Sequence, residues 1–314
     1  MKAVICTKYG TPDVLQMKEL EKPVPKDNEI CIRIYATTVT SSDCIVRGCN
    51  VSARYRLPMG IALGFKKPRN PVLGMVLAGK VDSVGKNVSA FKIGEDVFGM
   101  NRFAFGTYAE YVCWPESSVL TEKPSNMTYE EASALPYGGL LALYYLKKGN
   151  IKSGQKILIY GASGAVGTSA VQLAKNFGAD VTGVCSTGNL EMVKSLGADK
   201  VIDYTKEDFT NRGERYDLIF DAVPAAHRTI KIEYKKSLTS TGKYISVTQG
   251  TPKLDSENLI LLRELAEAGK MKAVIDRTYS LEDIAEAHRY VDKGHKKGNV
   301  IITVSDNLLT NMTP

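Results

Sequence analysis

Lys156-Ile157-Leu158-Ile159-Tyr160-Gly161-Ala162-Ser163-Gly164-Ala165-Val166-Gly167 is the stretch that decides the fold. It opens on an apolar, strand-like run and continues into a turn with glycine at 161, 164 and 167. Thr168-Ser169-Ala170-Val171-Gln172-Leu173-Ala174 follows with a helical pattern. Glycine lets a chain turn sharply out of a strand and lets its backbone approach a phosphate closely. The start of the following helix aims unpaired N–H groups at the anion. Strand, glycine turn and helix together predict a dinucleotide site, with Gly161, Ala162, Ser163, Gly164, Ala165, Val166 and Gly167 as its cradle. A turn with only a structural role is the competing reading.

Outward from this motif, strand-like and helical runs alternate. Strands are predicted at Lys156–Tyr160, Asp180–Cys185, Lys200–Tyr204, Tyr216–Ala222 and Gly242–Val247, with helices at Val166–Phe177 and Leu190–Leu196. Such alternation implies right-handed crossovers and a parallel, doubly wound α/β sheet. Before it, Thr128 and Glu131 have the spacing of a capping box that opens a helix. The first 120 or so residues read differently. Short runs such as Ile30–Ile34, Met75–Val81 and Asp96–Gly99 are punctuated by Pro and Gly, as in a small β-barrel. Helices at Leu259–Ala268 and Leu281–Val291 and a last strand at Asn299–Val304 close the chain.

The second strand ends in Cys185-Ser186-Thr187-Gly188-Asn189, with no carboxylate before Glu191. NAD enzymes place Asp or Glu there to hold the ribose 2′-hydroxyl. Two hydroxyls, Ser186 and Thr187, suit a 2′-phosphate better, so NADP(H) is expected ahead of NAD(H). Lys194 and Lys206 are cations available to such a site. Ser186 and Thr187 could equally cap the next helix.

Composition narrows the partners. The chain has 44% hydrophobic and 24% charged residues, as in a globular protein. Its net charge of +7 comes from lysines scattered singly and in pairs, which argues against nucleic-acid binding. Cys6, Cys31, Cys44, Cys49, Cys113 and Cys185 contain no C-x-x-C pair, which suits reduced thiols. Met1–Ile5 reads as a strand rather than a signal peptide, and Leu140–Leu146 is too short to span a bilayer. A cytoplasmic protein without a membrane partner is expected.

The chain resembles the zinc-independent, quinone oxidoreductase-like branch of the medium-chain dehydrogenase/reductase superfamily. The resemblance rests on Ala36-Thr37-Thr38-Val39-Thr40-Ser41-Ser42-Asp43, Pro71-Val72-Leu73-Gly74-Met75, Gly94-Glu95-Asp96-Val97-Phe98-Gly99 and Gly106-Thr107-Tyr108-Ala109-Glu110-Tyr111, besides the glycine-rich turn. At the back it includes Ala287-His288-Arg289-Tyr290 and Gly294-His295-Lys296-Lys297-Gly298-Asn299-Val300. It implies a GroES-like β-barrel domain over 1–122 and 255–314 and a Rossmann domain over 123–254. Zinc-dependent relatives have Cys where this chain has Thr40, and His-Glu where it has Met75-Val76. Thr and Met are poor replacements for thiolate and imidazole, so no zinc is expected. His227, His288 and His295 read as isolated surface or helix residues.

The resemblance further implies hydride transfer to a small electrophile, a quinone or an α,β-unsaturated carbonyl. Thr40 and Tyr137 are the candidate hydrogen-bond donors, although Tyr137 could simply pack at a helix turn. Tyr55 is a candidate at the substrate mouth, and Asp43 and Tyr108 are read as structural. Tyr204 is expected at the adenosine end, Ala222 and Val223 beside the nicotinamide ribose, and Ser246, Val247 and Thr248 at the nicotinamide face. Two departures stand out. Leu141 replaces a Thr common among relatives, and Thr248–Asp255 is shorter than the segment that usually adds a sixth strand. A five-stranded sheet, and a monomer or a dimer unlike the family's, are therefore expected. A broad alcohol or aldehyde dehydrogenase and an NADPH-binding protein with little turnover remain as alternatives.

Overall fold

The computed structural model describes residues 1–49, 57, 60–101, 104–223 and 234–304. The chain divides into two compact units, Met1–Pro136 with Ile275–His295 and Asn299–Pro314, and Tyr137–Val274 with Lys296–Gly298. Tyr55 and His227 lie outside the described residues.

In the first unit, strands β1 (Lys2–Cys6) and β2 (Leu15–Glu19) form an antiparallel pair. The larger sheet is built from β3 (Glu29–Val39), β4 (Val76–Val84), β5 (Asp96–Met100), β6 (Tyr111–Pro115) and β7 (Val119–Glu122). From the second unit come β8 (Lys156–Tyr160), β9 (Asp180–Cys185), β10 (Lys200–Asp203), β11 (Tyr216–Asp221) and β12 (Leu238–Ser246). The C-terminal β13 (Ile275–Ser280) and β14 (Asn299–Thr303) return to the first unit, giving the order β13-β14-β3-β4-β5-β7 with β6 on β3. Alternation on β3 and β6 sends Ile30, Ile32, Ile34, Val112 and Trp114 into a core shared with Leu77, Val81, Val97 and Leu120. The strand β13 is not legible in the sequence, because Asp276 and Arg277 interrupt any apolar run in IDRTYS.

Helices among the described residues include α1 (Ser41–Gly48), α2 (Tyr129–Ser133), α3 (Leu135–Gly149), α4 (Ala165–Asn176), α5 (Leu190–Ser195), α6 (Ser256–Glu267) and α7 (Ile284–Asp292). The capping box expected at Thr128 and Glu131 opens α2.

In the second unit the sheet order is β10-β9-β8-β11-β12, with every pairing parallel. This is the expected five-stranded doubly wound sheet, and its order reverses between β8 and β11. Ligands of such sheets bind outside the strand C-termini at that reversal. The unit begins at Tyr137 and runs to Val274, so α6 belongs with the parallel sheet rather than with the barrel segment expected from residue 255 onward. Packing explains this. Gly139 on α3 leaves room for Leu262 of α6, and Gln172 on α4 holds the backbone at Lys272 through two hydrogen bonds.

Candidate functional site

The glycine-rich turn lies at the reversal point. Gly161 leaves β8 with φ +80°, a left-handed conformation that favours glycine. The N–H groups of Gly161 and Ala162 both donate to the Val184 carbonyl at 3.0 Å, pinning the turn to β9. A Cβ at Gly161 would stand 2.6 Å from Val223, just beyond β11. At Gly167 a Cβ would meet the Gly161 carbonyl oxygen at 2.1 Å, so only glycine lets α4 sit this close to the turn.

Gly164 is the N-cap of α4 and provides no side-chain cap. The helix therefore presents its first N–H groups and the positive end of its dipole beside a residue with open space. Around Gly164 the nearest atom to a Cβ would be 3.7 Å away. A diphosphate fits these features. A second chain segment braces the turn, because Gly298 N–H donates to the Ser163 carbonyl at 2.8 Å. The cradle residues expected at 161–167 are thus assembled together.

Where the sequence places the adenosine end, Ser186 and Thr187 follow β9, and Tyr204 follows β10 with its ring 6.2 Å from that of Tyr160. Sequence reading missed a carboxylate here. Asp203 is the parallel-register neighbour of Cys185, which carries its side chain to Thr187. It accepts from the Thr187 hydroxyl at 2.5 Å, from the Thr205 hydroxyl at 2.6 Å, and from Thr205 N–H. The Thr187 and Thr205 hydroxyls hold its pKa below the usual carboxylate range. Lys206 lies 3.8 Å away and is mostly exposed. The only sequence signal is an Asp ending the neighbouring parallel strand, which is not where the ribose carboxylate of NAD enzymes is sought.

Toward β11 and β12, Asp221 is fully buried and accepts from Val223 N–H at 3.0 Å and from the Tyr244 hydroxyl at 2.6 Å. These bonds fix the backbone of Ala222 and Val223. Ser246 and Thr248 hydroxyls lie 2.9 Å apart, and the Tyr145 hydroxyl donates to the Val247 carbonyl at 3.0 Å. Val223, Val247 and Thr248 are therefore held at the C-terminal ends of adjacent strands. Tyr137 is half-buried in the first turn of α3.

In the first unit Thr40 is the buried N-cap of α1. Its hydroxyl donates to Asp43 Oδ2 at 2.6 Å and accepts from Asp43 N–H at 3.2 Å. The Thr40 proton expected for a substrate is thus engaged within the protein. Burial pushes the Asp43 carboxyl up to about 6. Next to Asp43 is Tyr108, fully buried, whose hydroxyl is 3.1 Å from His288 Nε2. On the other side of the imidazole, Nδ1 is 3.4 Å from Cys44 Sγ. His288 is fully buried on α7, so it is not a surface residue. Desolvation, with the Arg47 charge, takes its pKa down to about 3, leaving a neutral imidazole at ordinary pH. His295 is exposed.

At the two positions where the resemblance would put catalytic zinc ligands, the donors are poor ones. Thr40 directs its hydroxyl at Asp43, and buried Met75 offers only a thioether. Among the described residues no helix is long and apolar enough to cross a membrane.

Comparison with known proteins places this geometry. Residues 26–125 match the alcohol dehydrogenase GroES-like domain family, and residues 165–293 match the family described as zinc-binding dehydrogenase. The 2-methylene-furan-3-one reductase of Solanum lycopersicum is 33% identical, over 96% of this chain and 79% of that protein. A chloroplastic NADPH-dependent alkenal/one oxidoreductase of Arabidopsis thaliana is 30% identical over the same shares. The quinone oxidoreductase structure from Coxiella burnetii superposes with a TM-score of 0.86 at 27% identity, covering 97% of this chain and 99% of that one. The chain belongs to the medium-chain dehydrogenase/reductase superfamily, in its quinone oxidoreductase-like part, and is an NAD(P)H-dependent oxidoreductase.

Proposed function

We propose that the protein is a zinc-independent, NADPH-dependent reductase that delivers hydride to a quinone or an α,β-unsaturated carbonyl. The donor set carries this reading. Thr40 and Met75 occupy the positions where a catalytic zinc would need thiolate and imidazole, and the Thr40 hydroxyl is bound to Asp43. Without a Lewis acid, reducing a simple carbonyl lacks a stabiliser for the alkoxide, whereas a conjugated acceptor spreads the incoming charge. Two similar proteins are named for enone-type and alkenal/one substrates, which supports this class.

NADPH supplies the hydride from its nicotinamide ring. The turn 161–167 holds the diphosphate at the α4 N-terminus. Val223, Val247 and Thr248 support the nicotinamide end, with Asp221 fixing the Ala222-Val223 backbone. Tyr137 is the candidate donor to the substrate oxygen as negative charge develops there, since the Thr40 proton is directed at Asp43. We take the enzyme to act in the cytoplasm, as a monomer or as a dimer unlike the family's, on a small electrophile, without nucleic-acid or membrane partners.

NADPH oxidation should be measured against a quinone, an alkenal and a saturated aldehyde, with and without a chelator. The first two should be reduced at chelator-independent rates and the saturated aldehyde barely at all. Turnover of the saturated aldehyde that a chelator abolishes would establish the alcohol dehydrogenase reading instead. No turnover with any acceptor, despite NADPH binding, would favour the non-catalytic one.

The preference for NADPH is supported by the lack of a carboxylate directly after β9. Asp203 opposes it, since an ionised carboxylate beside Thr187 repels a 2′-phosphate. Asp203→Asn keeps an acceptor for Thr187 and removes the charge. Removing that like-charge repulsion should raise kcat/KM for NADPH relative to NADH. An unchanged ratio would remove Asp203 from the 2′ subsite.

A further inference from the structure

A second constellation lies on the outer face of the first unit's sheet. Strands β3 and β6 pair antiparallel with Cys31 directly opposite Cys113. Glu116 N–H donates to the Asn28 carbonyl at 3.0 Å and Ile34 N–H to the Glu110 carbonyl at 2.8 Å, which marks 28/116 and 34/110 as hydrogen-bonded pairs. Bonded and non-bonded pairs alternate along an antiparallel ladder. Counting inward from both ends makes Cys31/Cys113 a non-hydrogen-bonded pair. There the Cα atoms stand about 4.5 Å apart and the side chains approach most closely. That separation falls inside the roughly 4.4–6.8 Å range that disulfides span.

The surroundings suit thiol chemistry. Ile30, Ile32, Val112 and Trp114 point to the core, so Cys31 and Cys113 share the opposite face with Arg33 and Tyr111. Cys31 is buried, with Sγ 3.7 Å from the Pro23 carbonyl, while Cys113 is partly open to solvent. Lys22, paired with Asp82 at 2.7 Å, lies over the Tyr111 ring at the rim. Proximity of the two sulfurs lowers the Cys31 pKa and raises that of Cys113, which suits Cys31 to the second, resolving attack, while Cys113 is the thiol that solvent reaches and that meets a small disulfide first.

We propose that Cys31 and Cys113 form a reversible dithiol–disulfide site, closed by small-molecule disulfides such as oxidised glutathione. The solvent-reached Cys113, deprotonated, attacks one glutathione sulfur. The glutathione S–S bond breaks, leaving Cys113–S–S–glutathione, and the first glutathione leaves and takes up the Cys113 proton. Cys31, as thiolate, then attacks Cys113 Sγ, forming Cys31–Cys113 and releasing the second glutathione, which takes up the Cys31 proton. Two electrons pass from the protein sulfurs to the oxidised glutathione, which ends as two thiols. The attack by Cys31 needs no strand movement, because the register already places the sulfurs across one pair.

The test uses the full chain treated with oxidised glutathione. Of six thiols two should be lost, with the intact mass lower by two hydrogens and a Cys31–Cys113 peptide pair in the digest. Dithiothreitol should reverse all three, and the oxidised protein should melt at a higher temperature. Cys31→Ser should stop at a stable glutathione adduct on Cys113, whereas Cys113→Ser should take up no glutathione at Cys31. A Cys113 that stays free, or that links to any other cysteine, would overturn the proposal. So would a Cys31→Ser protein, shown folded by an unchanged far-ultraviolet spectrum, that carries no adduct on Cys113.

Discussion

Gly167→Ala is expected to weaken NADPH binding at least 100-fold and to destabilise the fold by about 3 kcal/mol, the upper end of what overpacking usually costs. An alanine in a helix interior is ordinarily worth about 1 kcal/mol more than glycine. Here that gain is overwhelmed. The added methyl would lie 2.1 Å from the Gly161 carbonyl oxygen and 2.7 Å from Ala162 Cα, both backbone atoms that cannot rotate aside. Relief requires α4 to move off the turn, which withdraws its leading N–H groups from the diphosphate. Gly164→Ala makes the contrast. Its φ of −80° suits alanine, and no atom lies within 3.4 Å of the new Cβ, so stability should change by less than about 0.5 kcal/mol. The methyl would still occupy space at the diphosphate cradle and weaken binding. Urea unfolding and NADPH titration of both variants separate the two effects. Equal loss of stability in both would contradict this packing account.

A second large effect comes from the buried chain Asp43–Tyr108–His288–Cys44. His288 is held down to about 3 and Asp43 is raised to about 6, both chiefly by burial. In the unfolded chain they titrate near 6.5 and 3.8. The His288 contribution is present above pH 6.5 and is lost as pH falls, because the unfolded chain gains a proton that the native imidazole refuses. The Asp43 contribution is present below 3.8 and is lost as pH rises through 6. Between about pH 4 and 6 the native state holds one proton on Asp43 and the unfolded state holds one on His288, so the two contributions nearly cancel. His288→Gln removes one side of this balance. A tenfold difference in proton affinity between the folded and unfolded chain is worth about 1.4 kcal/mol, so relative to the wild type the variant should gain about 2 kcal/mol between pH 6 and pH 4. Urea titrations across that range measure it, and a stability gap that does not change with pH would refute the assignment.

The features legible in the sequence are those that repeat a strong local pattern. The apolar run before Gly161 and the strand-helix alternation predict the parallel sheet, and β8 and β9 lie where that pattern puts them. Less is visible where a neighbour in space decides. The strand β12 starts at Leu238 rather than Gly242, because pairing with β11 extends a run whose Ser and Gly residues look like a turn. Asp203 reaches Thr187 only through the parallel register of β9 and β10. His288 reads as one residue on an amphipathic helix, and only the fold brings Cys44 and Tyr108 to its two ring nitrogens. Thr40 is conspicuous in the sequence as a hydroxyl where a zinc ligand would stand. Its hydrogen bond to Asp43 does not follow from that alone, although the Thr-x-x-Asp spacing is a form of capping box.

The most direct test of metal-free conjugate reduction follows the hydride itself. NADPH deuterated at the transferred position should be incubated with an α,β-unsaturated ketone in the presence of a chelator, and the product analysed by NMR and mass spectrometry. The predicted product is the saturated ketone with deuterium on the β-carbon and the carbonyl intact, formed at the same rate with and without chelator. Deuterium on the carbinol carbon of an allylic alcohol, or a reaction that stops with chelator and resumes on adding zinc, would contradict it.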